Sequence, residues 1–212
     1  MAPPQPPTTE SPLLKTWLLL TNLTMSLAWA RVLAAFLLHP VSDEPVCQEQ
    51  LSPVISAALW VSFLELFNAV AGFTRSKPHQ VLLFATVRFG VEKIVAPLIP
   101  CASWQHVLAT SSWALGDTIR FACFAVDNLL PTAHWAKAVR YTVGPMLFPL
   151  GASGEMFMVL ATASEGRQVK AYLAAMCWPP AFWYLYQQLL RQRKKYFAKR
   201  GGDQKKAEIK MA

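Results

Sequence analysis

Residues 140–155 read Arg140-Tyr141-Thr142-Val143-Gly144-Pro145-Met146-Leu147-Phe148-Pro149-Leu150-Gly151-Ala152-Ser153-Gly154-Glu155. The stretch is apolar except at its ends, and it belongs to an apolar block that runs on to residue 163. Glu155 therefore falls deep inside a segment long enough to cross a bilayer. A charge at that depth costs about 2.5–3.5 kcal/mol on insertion scales. Something must offset that cost, and a buried reaction site is one candidate. Pro145, Pro149, Gly151 and Gly154 all lie within reach of the carboxylate.

Working outward, the whole chain has the same character. Its 212 residues are 54% hydrophobic and only 15% charged, which is too apolar for an ordinary soluble domain. The apolar residues come in long blocks. Six are long enough to span a bilayer, which takes about 20 residues: 16–38, 53–73, 80–99, 104–130, 139–163 and 170–190. Strand-like alternation is absent, and helices satisfy their own backbone groups in lipid. The sequence thus predicts an all-α integral membrane protein, a bundle of six transmembrane helices. It divides into a disordered N-terminus (1–15), a membrane domain (16–190) and a basic tail (191–212).

Loop charges give the orientation. The loop at 39–52 has no Lys or Arg and carries Asp43, Glu44 and Glu49, and residues 100–103 have none either. Arg75 and Lys77 fall in 74–79, and Lys137 falls in 131–138 with Arg140 just beyond. By the positive-inside rule both termini are cytosolic. One short loop dissents, since 164–169 carries Arg167 on the far side. Residues 2–12 lack the positive n-region of a signal peptide. The net charge of +8 concentrates in the tail, where Arg191 to Lys210 holds nine basic and two acidic residues. Beside a span, such a tail suits anionic lipid better than nucleic acid. Cys47 and Cys101 both fall in far-side loops. In an oxidising lumen they can pair, and two free thiols fit the sequence equally well.

Charged residues recur inside the blocks: Arg31, Glu65, Arg88, Glu92, Lys93, Asp117, Arg120, Asp127 and Glu155. Arg88 and Glu92 are four apart and Asp117 and Arg120 three apart, so each pair shares a helix face. They read as structural ion pairs or as the lining of a polar cavity between helices. Glu155 has no basic neighbour at three or four residues. It needs a partner from another helix, or a proton, and so suits a general acid or base. The four histidines show no metal-ligand spacing, and no GxGxxG, P-loop or GxSxG occurs. Neither a metal nor a cofactor is expected.

The run Arg140-Tyr141-Thr142, Leu147-Phe148-Pro149-Leu150-Gly151 and Ser153-Gly154-Glu155 resembles the very-long-chain 3-hydroxyacyl-CoA dehydratases, also called protein-tyrosine-phosphatase-like A proteins. Gly72-Phe73-Thr74-Arg75-Ser76, Arg88, Trp113-Ala114-Leu115-Gly116-Asp117-Thr118-Ile119-Arg120 and Leu185-Tyr186 add weaker likeness over about residues 20 to 197. The resemblance implies dehydration of a very-long-chain 3-hydroxyacyl-CoA to a trans-2-enoyl-CoA in fatty acid elongation. It places the chain in the endoplasmic reticulum membrane, with an acyl-CoA substrate, membrane lipid and other elongation enzymes as partners and no nucleic acid. The family's catalytic pair is a Tyr and a Glu seven residues later. The Glu falls on Glu155 and the Tyr on Phe148, so the shared face survives and the hydroxyl does not. Asp117, Phe121 and Phe84 stand where Glu, Tyr and Gln are expected. Asp117, Arg120, Arg88, Tyr141 and Arg140 are the candidate substrate-binding residues. Tyr141 lies about 21 Å from Glu155 along a straight helix, at 1.5 Å per residue. It can replace the missing hydroxyl only if Pro145 and Pro149 break the helix sharply. A catalytically silent acyl-chain binder or elongase scaffold is the alternative. A small transporter is a third reading, which the lack of internal repeats disfavours.

Overall fold

The first helix begins where the sequence first offers a cap. Ser11 accepts the backbone N–H of Leu14 on its hydroxyl, and Pro12 occupies the first helical position, where no N–H is needed. The computed structural model describes residues 11–38, 47–74, 76–130, 132–163 and 178–198. Residues 1–10, most of the loop at 39–52, Arg75, Arg167 and the tail beyond 198 lie outside them, as does the start of the sixth predicted span.

Every described element is helical. Helix α1 is Pro12–Leu38, α2 Ser52–Val70, α3 Pro78–Gly90, α4 Trp104–Leu129 and α5 His134–Ala163. A sixth helix, α6, covers 178–198. A π-helical turn, Cys47–Leu51, leads into α2. A second one, Val91–Val95, and a 3-10 turn, Ala96–Leu98, extend α3. Each of the six predicted blocks thus contains helix, and the last helix runs beyond residue 190 into the basic segment. Three helices are long and apolar enough to cross a membrane: Pro12–Leu38, Cys47–Val70 and His134–Thr162. Helix α4 has the length but carries Asp117, Arg120 and Asp127, and α3 changes its winding after 13 residues.

Local chemistry explains the ends and the polar interiors. Helix α2 stops at a Schellman motif: Phe73 N–H donates to Asn68 O, Gly72 N–H donates to Ala69 O, and Gly72 has φ +73°. The accompanying apolar contact is Phe67 against Phe73, with ring centroids 6.1 Å apart. Within α1, the Thr16, Thr21 and Thr24 hydroxyls and the Asn22 amide donate to carbonyls three or four residues back. These side chains are thereby satisfied within their own helix. Helix α5 contains Pro145 and Pro149 yet stays helical from His134 to Ala163.

The helices alternate in direction. At one face, Trp17 of α1 donates to Asn68 of α2 (2.8 Å), Arg140 of α5 to Asp127 of α4 (3.4 Å), and Tyr196 of α6 to the His134 carbonyl (2.9 Å). At the other face, Cys47 and Cys101 form a disulfide, which settles the alternative the sequence left open. Small residues bring α4 and α5 together. A Cβ on Gly154 would lie 2.6 Å from the Ala109 nitrogen, so only glycine fits there. The main core joins Met25, Trp29, Ile55, Ala109, Phe121 and Met158. Large apolar side chains such as Leu27, Trp60, Ile94, Met146 and Trp183 stand exposed on the perimeter, as lipid-facing residues do.

Candidate active site

Helices α1 to α6 all contribute to one cavity of about 930 Å³. It runs between the helices from the face that carries Lys15, Lys77 and Lys137 down to Glu155. Lys137 and Glu155 are eighteen residues apart on α5, about 27 Å at 1.5 Å per residue. All seven site residues expected from the sequence line this cavity: Glu155, Phe148, Asp117, Arg120, Arg88, Tyr141 and Arg140.

Glu155 is 5% exposed and meets a partner from α4. The indole Nε1–H of Trp113 donates to its Oε1 at 2.6 Å. The position of Trp113 follows from Gly151. A Cβ there would meet Trp113 Cδ1 at 3.3 Å, so glycine leaves room for the indole edge against α5, one turn from Glu155. The Arg88 guanidinium sits over the Trp113 ring at 5.5 Å and over Phe84 at 5.7 Å.

From Arg88 a charge chain crosses the bundle. Arg88 pairs with Asp117, Asp117 with Arg120 (3.3 Å), and Arg120 with Glu65 of α2 (2.6 Å). The expected Asp117–Arg120 face is thus present. The expected Arg88–Glu92 pair is not. The α-helix gives way to a π turn at Val91, which removes the i, i+4 alignment. Glu92 instead faces His106 (3.4 Å), whose Nδ1 lies 2.8 Å from the Cys101 carbonyl, outside the cavity. Near the opposite end, Asp127 is approached by Arg140 (3.4 Å) and Lys137 (4.0 Å).

Phe148 stands in an aromatic group. It stacks on Phe182 (5.3 Å) and Tyr186 (6.1 Å) of α6, and Phe84 of α3 meets it edge-on at 5.5 Å. Tyr141 does not fold back toward Glu155, because the helix continues through both prolines. It stacks on Tyr196 at 4.9 Å near the basic face. Sequence reasoning missed Trp113, Glu65 and Phe182 as members of the site. The signal for Trp113 was present: it stands four residues before Asp117, on the same helix face.

A family model described as protein tyrosine phosphatase-like protein, PTPLA, matches residues 60–199, two thirds of the chain. The chain belongs to the PTPLA family. That span covers α3 to α6 and every residue of the site named above except Lys15. Among curated relatives, the very-long-chain (3R)-3-hydroxyacyl-CoA dehydratase hpo-8 of Caenorhabditis elegans is 24% identical over 219 residues, covering 91% of this chain and 98% of that protein. A probable enzyme of the same name from Schizosaccharomyces pombe is 22% identical, over 84% and 91% of the two chains. The dehydratase PASTICCINO 2B of Oryza sativa subsp. japonica is 24% identical, over 83% and 82%. No solved structure matches the chain.

Proposed function

We propose that this PTPLA protein is a membrane-bound lyase that removes water from a very-long-chain (3R)-3-hydroxyacyl-CoA to give the trans-2-enoyl-CoA. The relatives carry that activity in their names. The observation that carries the reading is the placement of Glu155, a buried carboxyl at the inner end of a charged cavity, oriented by the Trp113 indole. Glu155 takes the proton from C2 of the substrate and returns it to the hydroxyl that leaves from C3. General acid–base help of this kind contributes typically about 100- to 10,000-fold.

The opposite end of the cavity supports a CoA thioester. Lys15, Lys77, Lys137 and Arg140 line it and offer cations to the phosphates. The carrier arm then extends along α5 to bring the thioester near Glu155. Arg88, Asp117 and Arg120 hold the polar end of the acyl group, and Phe84, Phe148 and Phe182 flank its apolar part. All six helices span the endoplasmic reticulum membrane, with residues 16–190 as the membrane domain and both termini cytosolic. Loop charges and the far-side disulfide support that orientation. Other elongation enzymes and membrane lipid are the expected partners.

The second reading is an acyl binder without turnover, and its one support is Phe148, which stands where the resemblance implies a Tyr. Purified protein in detergent, given a 3-hydroxyacyl-CoA, should release enoyl-CoA, and Glu155→Gln should not. Tight binding with no product from the parent protein on any chain length would select the second reading.

A further inference from the structure

Phe148 leaves the site one hydroxyl short, and another helix brings one close to the same place. Ser112 precedes Trp113 on α4 and is 8% exposed. A Cβ on Gly151 would meet Ser112 Cβ at 3.4 Å. Ser112 therefore stands at the level of position 151 on α5. That position is four residues from Glu155, on the same face, and three from Phe148. Along the axis of α5, Ser112 thus stands at a level between Phe148 and Glu155.

Its hydroxyl is also uncommitted. Ser112 lines the cavity, and its side chain makes no hydrogen bond to another described residue. The Thr110 hydroxyl of the same helix is also unpartnered but does not line the cavity, and the other neighbours are committed. Ser111 donates to the Leu108 carbonyl of its own helix, Trp113 donates to Glu155, and Arg88 and Arg120 are held by carboxylates. A hydroxyl is a one-proton donor that rotates to suit its acceptor.

We propose that Ser112 is a catalytic residue of this chain, donating a hydrogen bond to the thioester carbonyl oxygen while Glu155 acts on the adjacent carbon. The proposal rests on the dehydratase reading. In the reaction, the C2–H bond breaks and its proton passes to the Glu155 carboxylate. Negative charge collects on the thioester oxygen, where the Ser112 hydroxyl receives it. The C2=C3 bond then forms, the C3–O bond breaks, and Glu155 returns the proton to the leaving hydroxyl as water. Glu155 ends as it began, and Ser112 keeps its proton throughout. A donor aimed at developing charge is worth about 100- to 1,000-fold in kcat.

The test is steady-state dehydration of a 3-hydroxyacyl-CoA in detergent by the parent, Ser112→Ala, Ser112→Thr and the double variant Ser112→Ala/Phe148→Tyr. Alanine favours helix more than serine, so the fold should persist, and thermal unfolding checks it. Ser112→Ala should lower kcat by about 100-fold with KM little changed, as expected for a contact that strengthens only in the transition state. Ser112→Thr keeps the hydroxyl and should retain most activity. The double variant should recover much of the loss, because the Tyr hydroxyl supplies a donor from position 148. Equal kcat for parent and Ser112→Ala would overturn the role of Ser112 and leave the dehydratase reading intact. Equal losses in Ser112→Ala and Ser112→Thr would overturn it too, since the hydroxyl would not be what matters. A parent protein without turnover would remove the dehydratase reading and Ser112 with it.

Discussion

The Trp113 indole donates to the Glu155 carboxyl at 2.6 Å, from α4 to α5, and the carboxyl is buried at the inner end of the cavity. Two residues forty-two positions apart thus fix the one acid of the fifth helix. A carboxyl left without its donor in a buried place costs about 1–3 kcal/mol. Trp113→Phe keeps the ring but removes the N–H. It should lower the unfolding temperature in detergent and reduce kcat by about 10-fold or more, since each 1.4 kcal/mol is a factor of ten. An unchanged kcat would mean that Trp113 packs rather than orients.

The Gly154–Ala109 contact gives a stability prediction with its own control. A Cβ on Gly154 would lie 2.6 Å from the Ala109 nitrogen and 2.8 Å from its Cα, and backbone cannot step aside. Gly154→Ala should destabilise by about 1–3 kcal/mol through overpacking. A Cβ on Gly144, in the same helix, meets nothing within 4 Å. Gly144→Ala should therefore be neutral or stabilise by up to about 1 kcal/mol. Thermal unfolding of the two variants side by side checks the pair, and equal shifts would refute the close α4–α5 approach.

Much of the arrangement was legible in the sequence for physical reasons. Bilayer-length apolar blocks allow little except helix, so the all-α class followed directly. The seven-residue step from Phe148 to Glu155 put both on one cavity-lining face. Asp117 and Arg120 paired as their spacing required. The reading failed where winding departs from the ideal α-helix. Arg88 and Glu92 parted because of the π turn at Val91, and no local residue type announces a π turn. Partners across helices were also invisible. Nothing in the spacing of Glu65 and Arg120, fifty-five residues apart, says that they meet. Cys47 and Cys101 could be placed on one face by topology, but their separation came only with the fold.

The disulfide offers a test of orientation as well as stability. Cys47 and Cys101 close a 54-residue separation, for which chain entropy gives at most about 4 kcal/mol. A disulfide of this kind persists on the oxidising side of a membrane. Both cysteines should resist maleimide labelling in denatured protein until a reductant is added. Labelling without reductant, in protein extracted with thiols trapped, would place that face in the cytosol. Cys47→Ser with Cys101→Ser should lower the unfolding temperature while leaving kcat nearly unchanged, because neither cysteine lines the cavity.

Topology follows from the same axis. Tags at Gln5 and Glu208 should both be open to protease in sealed microsomes, since the ends of α1 and α6 lie at the face that carries Lys15, Lys77 and Lys137. A tag in the loop at 39–46 should be protected. Protection of either terminal tag would mean an odd number of crossings and would break the agreement between the loop charges and the basic end of the cavity.

Phe148 carries the sharpest prediction about activity. It differs from Tyr by one hydroxyl, and it already packs between Phe84, Phe182 and Tyr186 while lining the cavity. Phe148→Tyr should therefore fold with little repacking. A second protic group positioned on the substrate should raise turnover toward the lower end of the usual acid–base range, about 100-fold. The gain should be greater in Ser112→Ala than in the parent, because one hydroxyl then replaces another rather than joining it. Glu155→Gln should abolish turnover in every one of these backgrounds, since no hydroxyl can take the C2 proton in its place. Turnover by Phe148→Tyr no faster than the parent, with both proteins folded, would show that position 148 has ceased to face the reacting carbons.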